Sequence, residues 1–503
     1  MDLDQAVTAA LASGHLAGIL PSSVSETKVI QALIAASEEK IAQIDSQIRD
    51  LQCMRGRESG RLAWLKLGIS PIRKLPDEML TNIIRHAHTD LQSSFWLSQV
   101  CWHWRELAHR TPALWTSQLP LRVLTVANPP HEYIAAIEAY VQRSNPLPIS
   151  LDLRGAWDWK DAQFISPAVA DALLVGASRW VCLAVNDYHV SVLQALVQLP
   201  RNALKMLERA NLSGGHGVMQ PIYAFLSSPL LRRVFLSVAH TVHFPMPWAQ
   251  LTELELSERS SPLWIDILLQ CTNLVHAKVC GNPEEELEEG DWDAINLISA
   301  TVVTLSFLET LELSLPTDMI APCFGRLSLP SLRKLDLSVY MTSGYRSATT
   351  SAIFSQFQDR SPNIEKFSLA FCEIDSEGVH SILLHAPNLT DFHLDCCRHS
   401  VDDYVLEEVQ RFEEDLVHLV PRLERLLLWV VDDAWTEERL LAMIKSRWWT
   451  MEELHALPAL PPVARLQRVD ISRTDSDRDL PFSESFQQEI SRLKAQGLDV
   501  EVR

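Results

Sequence analysis

A short stretch in the C-terminal half of the chain carries the side chains most able to bind a metal ion. It contains His393, Cys396, Cys397 and His399. Structural zinc sites usually present a Cys-x-x-Cys pair, which the sequence lacks. His393 stands between two apolar residues and should point out of a strand, whereas Cys397 should take a buried turn position. We therefore predict no metal ion and no other cofactor.

The sequence carries no recognisable motif for covalent or phosphoryl-transfer chemistry. It has no nucleophile elbow, Walker loop or dinucleotide fingerprint. Cys101 lies among apolar residues, where a thiol behaves as a small hydrophobe, and no neighbouring base marks it as a thioester-forming nucleophile. We therefore expect a non-catalytic chain. A hydrolytic enzyme with dispersed catalytic residues is the weakest alternative, and a pocket of convergent carboxylates with a histidine would favour it.

Composition and charge restrict the classes of partner. The chain has 503 residues, 47% of them hydrophobic, which suggests two or three domains unless a repeat array accounts for the length. A net charge of −20 argues against nucleic acid and anionic membranes as partners. The nine cysteines follow no repeating framework, and there is neither a basic secretory start nor a long apolar run. We expect an intracellular protein, cytoplasmic or nuclear.

Residues 119–503 contain a repeated block of the form Leu-x-x-Leu-x-Leu. Clear copies begin at Leu251, Leu308, Leu332, Ile364, Leu389, Leu423 and Leu466, and fainter copies begin at Trp180, Leu231 and Leu274, with residues 148–153 as a candidate first copy. Amphipathic helices are the alternative interpretation. In a helix, however, position i+5 would not lie on the face that positions i and i+3 share, whereas in a strand positions i+3 and i+5 lie on the same face. Helical patterns separate the blocks. We predict an α/β fold, an irregular horseshoe-like solenoid of leucine-rich repeats.

Two further features belong to this array. Residues 486–493 have a helical apolar face, Gly497 can close that helix, and residues 498–502 alternate like a last strand, so we expect a C-terminal cap. Acidic inserts lie near 284–293 and 402–415. We interpret them as solvated loops or exposed helix faces, with a contact for a basic target as the alternative.

Residues 70–118 hold two short amphipathic helical patterns. The first begins after Leu75-Pro76, where proline and the two following acids suit a first helical turn. The second runs from Leu97 to Ala108 and ends before Pro112. The link between them, His86 to Ser94, is expected to be short and irregular. A segment of this length cannot bury a sufficient hydrophobic core by itself. Its helices must therefore pack on the rest of the chain or on a partner.

The arrangement of these residues resembles the F-box. The resemblance is carried by Leu75, Pro76, Glu78, Leu80, Ile83, Val100, Cys101, Trp104, Arg105, Leu107, Ala108, Pro112, Leu114 and Trp115. The stretches SPIRKLPDE and VCWHWRELAHRTPALW are most similar to F-box proteins of mushroom-type (basidiomycete) fungi. Cys372 and Cys397 stand at the same offset after their blocks, which resembles the cysteine-containing leucine-rich repeats of many F-box proteins.

This resemblance implies a non-catalytic substrate receptor of a Skp–cullin–F-box ubiquitin ligase. The F-box would bind a Skp-type adaptor and, through it, the cullin and RING subunits. By position, the adaptor contacts would be Leu75, Pro76, Leu80, Ile83, Val100, Trp104, Leu107 and Trp115. The solenoid would hold a protein target within reach of the charged ubiquitin-conjugating enzyme.

The outward strand positions of the expected concave face are the predicted target-binding residues. They include Glu255, Glu312, Asp336, His393 and Leu427, with Trp429 as an apolar neighbour. Because several of them are acidic, a basic target would suit this face. The alternative for Leu427 and Trp429 is that a loop of the chain covers them.

The N-terminal region contains a possible oligomerisation element. Residues 1–26 indicate no role, whereas residues 27–67 follow a heptad pattern from Ile30 to Leu65 that is typical of a coiled coil. This helix would form a homodimer or fold back onto its own chain. The alternative to a ligase receptor is therefore a dimeric repeat scaffold whose F-box-like helices only cap the solenoid.

Overall fold

A computed structural model describes most of the chain. The described residues are 5, 24–87, 91–116, 129–153, 165–186, 190–214, 220–238, 244–258, 263–281, 302–340, 350–372, 374–410, 419–431, 434–456, 461–475, 478–479 and 482–502. The insert near 284–293, part of the insert near 402–415 and nearly all of residues 1–23 lie outside this set. The chain divides into two compact units, residues 1–84 and residues 85–503.

The first unit is dominated by one long helix. Helix α1 (Val24–Ile69) covers the predicted heptad segment, and its seam side chains, including Ile41 and Ile48, are exposed. A 3₁₀ turn (Pro71–Lys74) follows the helix. Helix α2 (Asp77–Ala87) then begins with two acidic residues in its first turn, where negative charge stabilises a helix N-terminus.

The predicted helix from Leu97 to Ala108 is two helices, so this prediction was wrong in its bounds. Helix α3 (Leu91–Gln99) and helix α4 (Trp102–His109) are separated at Cys101, whose backbone is extended. Arg105 Nε donates to Ser98 O at 3.0 Å and so satisfies a carbonyl group at the end of α3. An apolar spacing cannot reveal such a break, because both helices keep an apolar face.

The link from His86 to Ser94 also differs from the expectation of an irregular connection. Helix α2 continues to Ala87 and helix α3 already begins at Leu91. Most of the link is therefore helical. A 3₁₀ turn (Pro112–Trp115) then completes the F-box-like segment within the described residues.

Parallel strands in the second unit build one long sheet. Among the described residues it has 14 strands: β1 (Ile149–Asp152), β2 (Trp180–Val185), β3 (Arg209–Gly214), β4 (Arg233–Val238), β5 (Glu253–Glu258), β6 (His276–Gly281), β8 (Thr310–Pro316), β10 (Lys334–Tyr340), β11 (Lys366–Ala370), β12 (Asp391–Arg398), β13 (Arg425–Val431), β14 (Arg468–Asp475), β15 (Arg478–Asp479) and β16 (Asp499–Val502). Strand order follows chain order, with β16 parallel to β14 and β15 antiparallel to it. Strands β7 (Val303–Thr304) and β9 (Leu327–Ser328) form a separate pair.

Helices lie between the strands along the chain. They are α5 (His131–Arg143), α6 (Pro167–Leu174), α7 (Val190–Val197), α8 (Leu263–Gln270), α9 (Thr317–Phe324), α10 (Thr350–Asp359), α11 (Ser376–Leu384), α12 (Asp403–Val409), α13 (Glu437–Arg447), α14 (Met451–Ala456) and α15 (Glu484–Ala495). The leucine positions of the repeated blocks are buried, and most of the residues between them are at least partly exposed, with Ala184, Asp391 and Asp470 as buried exceptions. None of the described helices has the length and apolar character that crossing a bilayer requires.

The expected fold class is confirmed. A long N-terminal helix and a small helical module precede an α/β array of parallel strands, and each predicted block falls on a strand. The predicted C-terminal helix and last strand are α15 and β16, and Gly497 between them has a positive φ of 104°. Strand β3 was not predicted, because Ala210 replaces the middle leucine of its block.

Arginines link successive repeats on the helical side of the array. Arg179 donates to the carbonyl oxygens of Val141, in the last turn of α5, and of Leu147, just after that helix. Arg360 donates to those of Phe324, the last residue of α9, and of Leu327, just after that helix. The last carbonyl groups of a helix have no partner within it. An arginine from the following repeat therefore supplies the missing donors.

Arg447 is the most buried of these arginines. It has no exposed surface, and its guanidinium donates to the carbonyl oxygens of Val409 (2.6 Å), Leu419 (2.6 Å) and Val420 (2.9 Å). Burial lowers its pKa to about 10, so the group stays charged at neutral pH. Within the described residues, these hydrogen bonds go to backbone carbonyl groups rather than to a carboxylate.

Candidate functional site

Among the described residues of the second unit, the F-box-like segment presents three large apolar side chains to solvent. Trp96 is 67% exposed, Val100 is 61% exposed and Trp102 is 71% exposed. Trp96 lies in α3, Val100 follows the last residue of that helix, and Trp102 is the first residue of α4. We call these residues the exposed trio. Of the three, only Val100 could be predicted from the sequence, because the two tryptophans fall outside the spacing of the motif.

Trp115 lies inside the chain. Its side chain has no exposed surface, and its indole N–H donates to Ala108 O at 2.8 Å. Its ring centroid lies 5.5 Å from that of Phe95 and 6.3 Å from that of Tyr140, and the Arg143 guanidinium carbon lies 4.9 Å above it. Trp115 therefore joins helices α3 and α4 to helix α5, the first helix of the repeat array.

The other residues predicted to contact the adaptor differ in exposure. In the second unit, Leu107 is buried and Trp104 is half-buried. In the first unit, Leu80 is buried, Leu75 is half-buried, and Pro76 and Ile83 are exposed. A side chain already covered by its own chain has little surface left for a partner.

The open face of the sheet carries one residue from each parallel strand at the same register position. This central row is Asp152, Ala184, Asn211, Phe235, Glu255, Lys278, Glu312, Asp336, Ser368, His393, Leu427, Asp470 and Glu501. The structure therefore brings five predicted target-binding residues into one line. Trp429 lies two residues beyond Leu427 and is half-buried.

Cations accompany the carboxylates of this row. Lys278 Nζ lies 3.1 Å from a Glu255 oxygen, and this hydrogen bond raises the pKa of Lys278. Lys334 Nζ lies 2.9 Å from Glu312 and 2.5 Å from Asp336. Local pairing thus neutralises much of the negative charge that the sequence suggested for this face. The pairs of Glu255 with Lys278 and of Glu312 with Lys334 cannot be recognised in the sequence, because the two members of each pair lie on different strands and meet only in the sheet.

His393 lies in the central row and Cys397 does not. The His393 ring nitrogen Nδ1 is 3.4 Å from Ser368 Oγ, and burial lowers the pKa of His393 although the carboxylates of Asp391 and Asp336 act in the opposite direction. Cys397 is buried, and its thiol lies within hydrogen-bond distance of Leu369 O. The described part of the chain contains no group of three or more His, Cys, Asp or Glu side chains placed to hold a metal ion.

A groove of about 620 Å³ lies on the open face over strands β2 to β6 and β8. It contains Glu253, Glu255, Glu312 and His276 together with Arg209 and Phe235. Each of the three glutamates is an ion-pair partner of a lysine or arginine. The groove therefore holds paired opposite charges, which differs from the two facing carboxylates that share acid and base roles in hydrolases.

Comparisons with known proteins identify one segment. The F-box-like family matches residues 72–119, a stretch that contains the exposed trio and Trp115. No curated protein sequence matches the chain. The solved structures that resemble it include a Bacteroides fragilis protein from a structural genomics consortium, with a TM-score of 0.31, 13% identity and coverage of 61% of this chain and 77% of that one. A chain of the yeast Rad7–Elc1 complex has a TM-score of 0.32, 13% identity and coverage of 96% of this chain and 99% of its own. Both TM-scores are too low to carry an argument.

Proposed function

We propose that this protein is the substrate receptor of a Skp–cullin–F-box ubiquitin ligase inside the cell. The observation that carries the proposal is the exposed trio within the matched F-box-like segment. Large exposed apolar side chains in a short helical segment mark a protein interface, and tryptophan is a favoured residue at the centre of such interfaces. A Skp-type adaptor would cover these side chains.

The receptor would act by proximity alone. The adaptor would connect this chain to the cullin and RING subunits, and the repeat array would hold a protein target on the open face of its sheet. Holding a target lysine near the ubiquitin thioester raises its effective concentration without any catalytic group on this chain. The resemblance to basidiomycete F-box proteins agrees with this assignment. A basidiomycete origin of the chain stays a prediction.

We assign two roles to the predicted adaptor-binding residues. Pro76, Ile83, Val100 and the partly exposed Leu75 and Trp104 would contact the adaptor, together with Trp96 and Trp102. Leu80, Leu107 and Trp115 would instead support the helices that carry those contacts, because their side chains are covered by the chain itself.

Loss of adaptor binding is the first expected result. We expect Val100→Asp to weaken binding to a co-expressed Skp-type adaptor by at least about thirtyfold, since a charge would be buried without a partner at the interface. Phe307→Asp is the matched control, because it places the same charge on an exposed apolar residue of the repeat array. Size-exclusion chromatography with light scattering measures the complex. Wild-type protein that is folded but does not bind the adaptor would refute the proposal.

A dimeric form is a second candidate, favoured by the exposed apolar seam of α1. Ile41, Ile44, Ile48 and Leu51 are all exposed on a helix that runs from Val24 to Ile69. A second copy of the helix would bury this seam in a coiled coil. The dimer is compatible with the receptor function and with a scaffold.

Charges in the seam should dissociate this dimer. We expect Ile41→Asp combined with Ile48→Asp to halve the mass measured by light scattering, because two aspartates would face each other in each layer of the coiled coil. Gln43→Asp combined with Gln47→Asp adds the same charge outside the seam and should leave the mass unchanged. A wild-type monomer, or a dimer that survives the seam variant, would contradict this second proposal.

A further inference from the structure

Two arginines lie side by side on the open face at one end of the groove. Arg209 on β3 is paired in register with Arg233 on β4, and both line the groove. Directly opposed residues on neighbouring strands have their side chains on the same face, so like charges at such positions destabilise a sheet. A negative charge close to both guanidinium groups would offset this cost.

The chain supplies only part of that negative charge. Arg233 lies 3.2 Å from Glu253, on the side away from Arg209. Among the described residues, no carboxylate lies within ion-pair distance of Arg209, and its other register neighbour is Cys182. Arg209 is exposed and faces the groove. Counted over the described residues, this end of the groove therefore has one positive charge in excess.

The residues beside Arg209 in the central row are uncharged. They are Ala184, Asn211 and Phe235, and the Phe235 ring is half-buried in the floor of the groove. Farther along the groove, Glu255 and Glu312 lie in ion pairs with lysines. An acidic group can therefore bind at Arg209 without meeting an unpaired carboxylate, and an apolar side chain can pack on Phe235 next to it.

We propose that this groove binds an extended segment of the target protein that carries an acidic side chain beside an apolar one. The acidic group would lie against Arg209 and the apolar group against Phe235. The inference rests on the proposed function in one respect, which is that the bound segment belongs to a degradation target. The preference of the groove for an acidic and an apolar side chain does not depend on that function. It replaces the expectation of a basic target, which was based on the acidic residues of the central row without their lysine partners.

The overall charge of the chain does not oppose this preference. The net charge is −20, but at physiological salt charges farther apart than about 8 Å are largely screened. Contact between a guanidinium and a carboxylate occurs well within that distance, and bidentate geometry strengthens it. The chain's net charge would slow the approach of an acidic target more than it would weaken the bound state.

Selection from a library tests the preference directly. The probe is a phage-displayed library of random peptides, and the bait is the full chain in its complex with the adaptor. We expect the selected peptides to be enriched in aspartate and glutamate next to apolar residues. With Arg209→Glu as bait, this enrichment should change to lysine and arginine. Lys205→Glu makes the same charge change on an exposed residue that does not line the groove and should leave the selection unchanged.

Binding measurements then locate the contact. Fluorescence anisotropy with a labelled peptide of the selected consensus should give at least about tenfold weaker binding for Arg209→Gln, as expected for loss of a charge-assisted hydrogen bond. No selected peptides, enrichment of basic residues by the wild type, or acidic peptides that are insensitive to Arg209 would each overturn the inference. If the adaptor does not bind, the ligase proposal fails, and the same selection on the chain alone still decides the preference of the groove.

Discussion

Replacing Arg447 by methionine should lower the free energy of unfolding by about 3 kcal/mol or more, because it removes the donors for three buried carbonyl groups. A methionine can fill much of the space but donates no hydrogen bond. Burying a charged group is costly, so part of the loss would be recovered by removing the guanidinium charge. The carbonyl groups of Val409, Leu419 and Val420 would still be left without partners, and that loss dominates.

Urea denaturation followed by circular dichroism measures this change. Arg439→Met is the matched control on the same helix, because Arg439 is exposed and its ion pair with Glu407 at 2.8 Å is a surface contact. Such a pair contributes little, so the control should lie within about 0.5 kcal/mol of the wild type. Similar unfolding curves for the two variants would mean that the Arg447 hydrogen bonds do not hold the repeats together.

Trp115→Ala is expected to cost about 3 to 5 kcal/mol, the usual range for truncating a fully buried aromatic side chain. The variant would lose the indole hydrogen bond to Ala108 and the packing against Phe95 and Tyr140. Because those contacts join the F-box-like helices to α5, we expect adaptor binding to weaken through loss of the folded helices. Thermal unfolding of purified protein measures the first effect.

Trp102→Ala separates folding from binding. Trp102 belongs to the same segment but is exposed, so its truncation should leave the unfolding temperature nearly unchanged and still weaken adaptor binding. Trp115→Ala should change both quantities. If Trp102→Ala destabilised the chain as much as Trp115→Ala, the division between contact and supporting residues would be wrong.

The strand positions could be predicted from the sequence, because each strand of the parallel sheet buries apolar residues at the same spacing along the chain. The block of β10 is Leu332, Leu335 and Leu337, and all three side chains are buried as that spacing requires. The same rule fails at β3, where Ala210 fills the middle position, since alanine is too common to signal a strand. The break between α3 and α4 was missed because it depends on backbone conformation at Cys101.

The candidate sites were harder to predict than the fold. An F-box-like segment can be recognised from its apolar spacing, but the spacing does not distinguish Trp115, which is buried, from Val100, which is exposed. Likewise, Glu312 reads as a free acidic residue in the sequence, and its partner Lys334 becomes its neighbour only in the sheet. The net charge on the open face of the sheet therefore depends on which residues of neighbouring strands form ion pairs.

The arginines that join successive repeats also restrict how the array can change in evolution. Each one belongs to one repeat but supplies donors to carbonyl groups of the repeat before it, as Arg360 does for Phe324 and Leu327. Deleting a repeat, or duplicating one alone, would place such an arginine beside a repeat whose carbonyl groups are not positioned to accept its hydrogen bonds. The smallest segment that could be duplicated without loss is therefore a helix end together with the arginine that follows it, which spans two repeats.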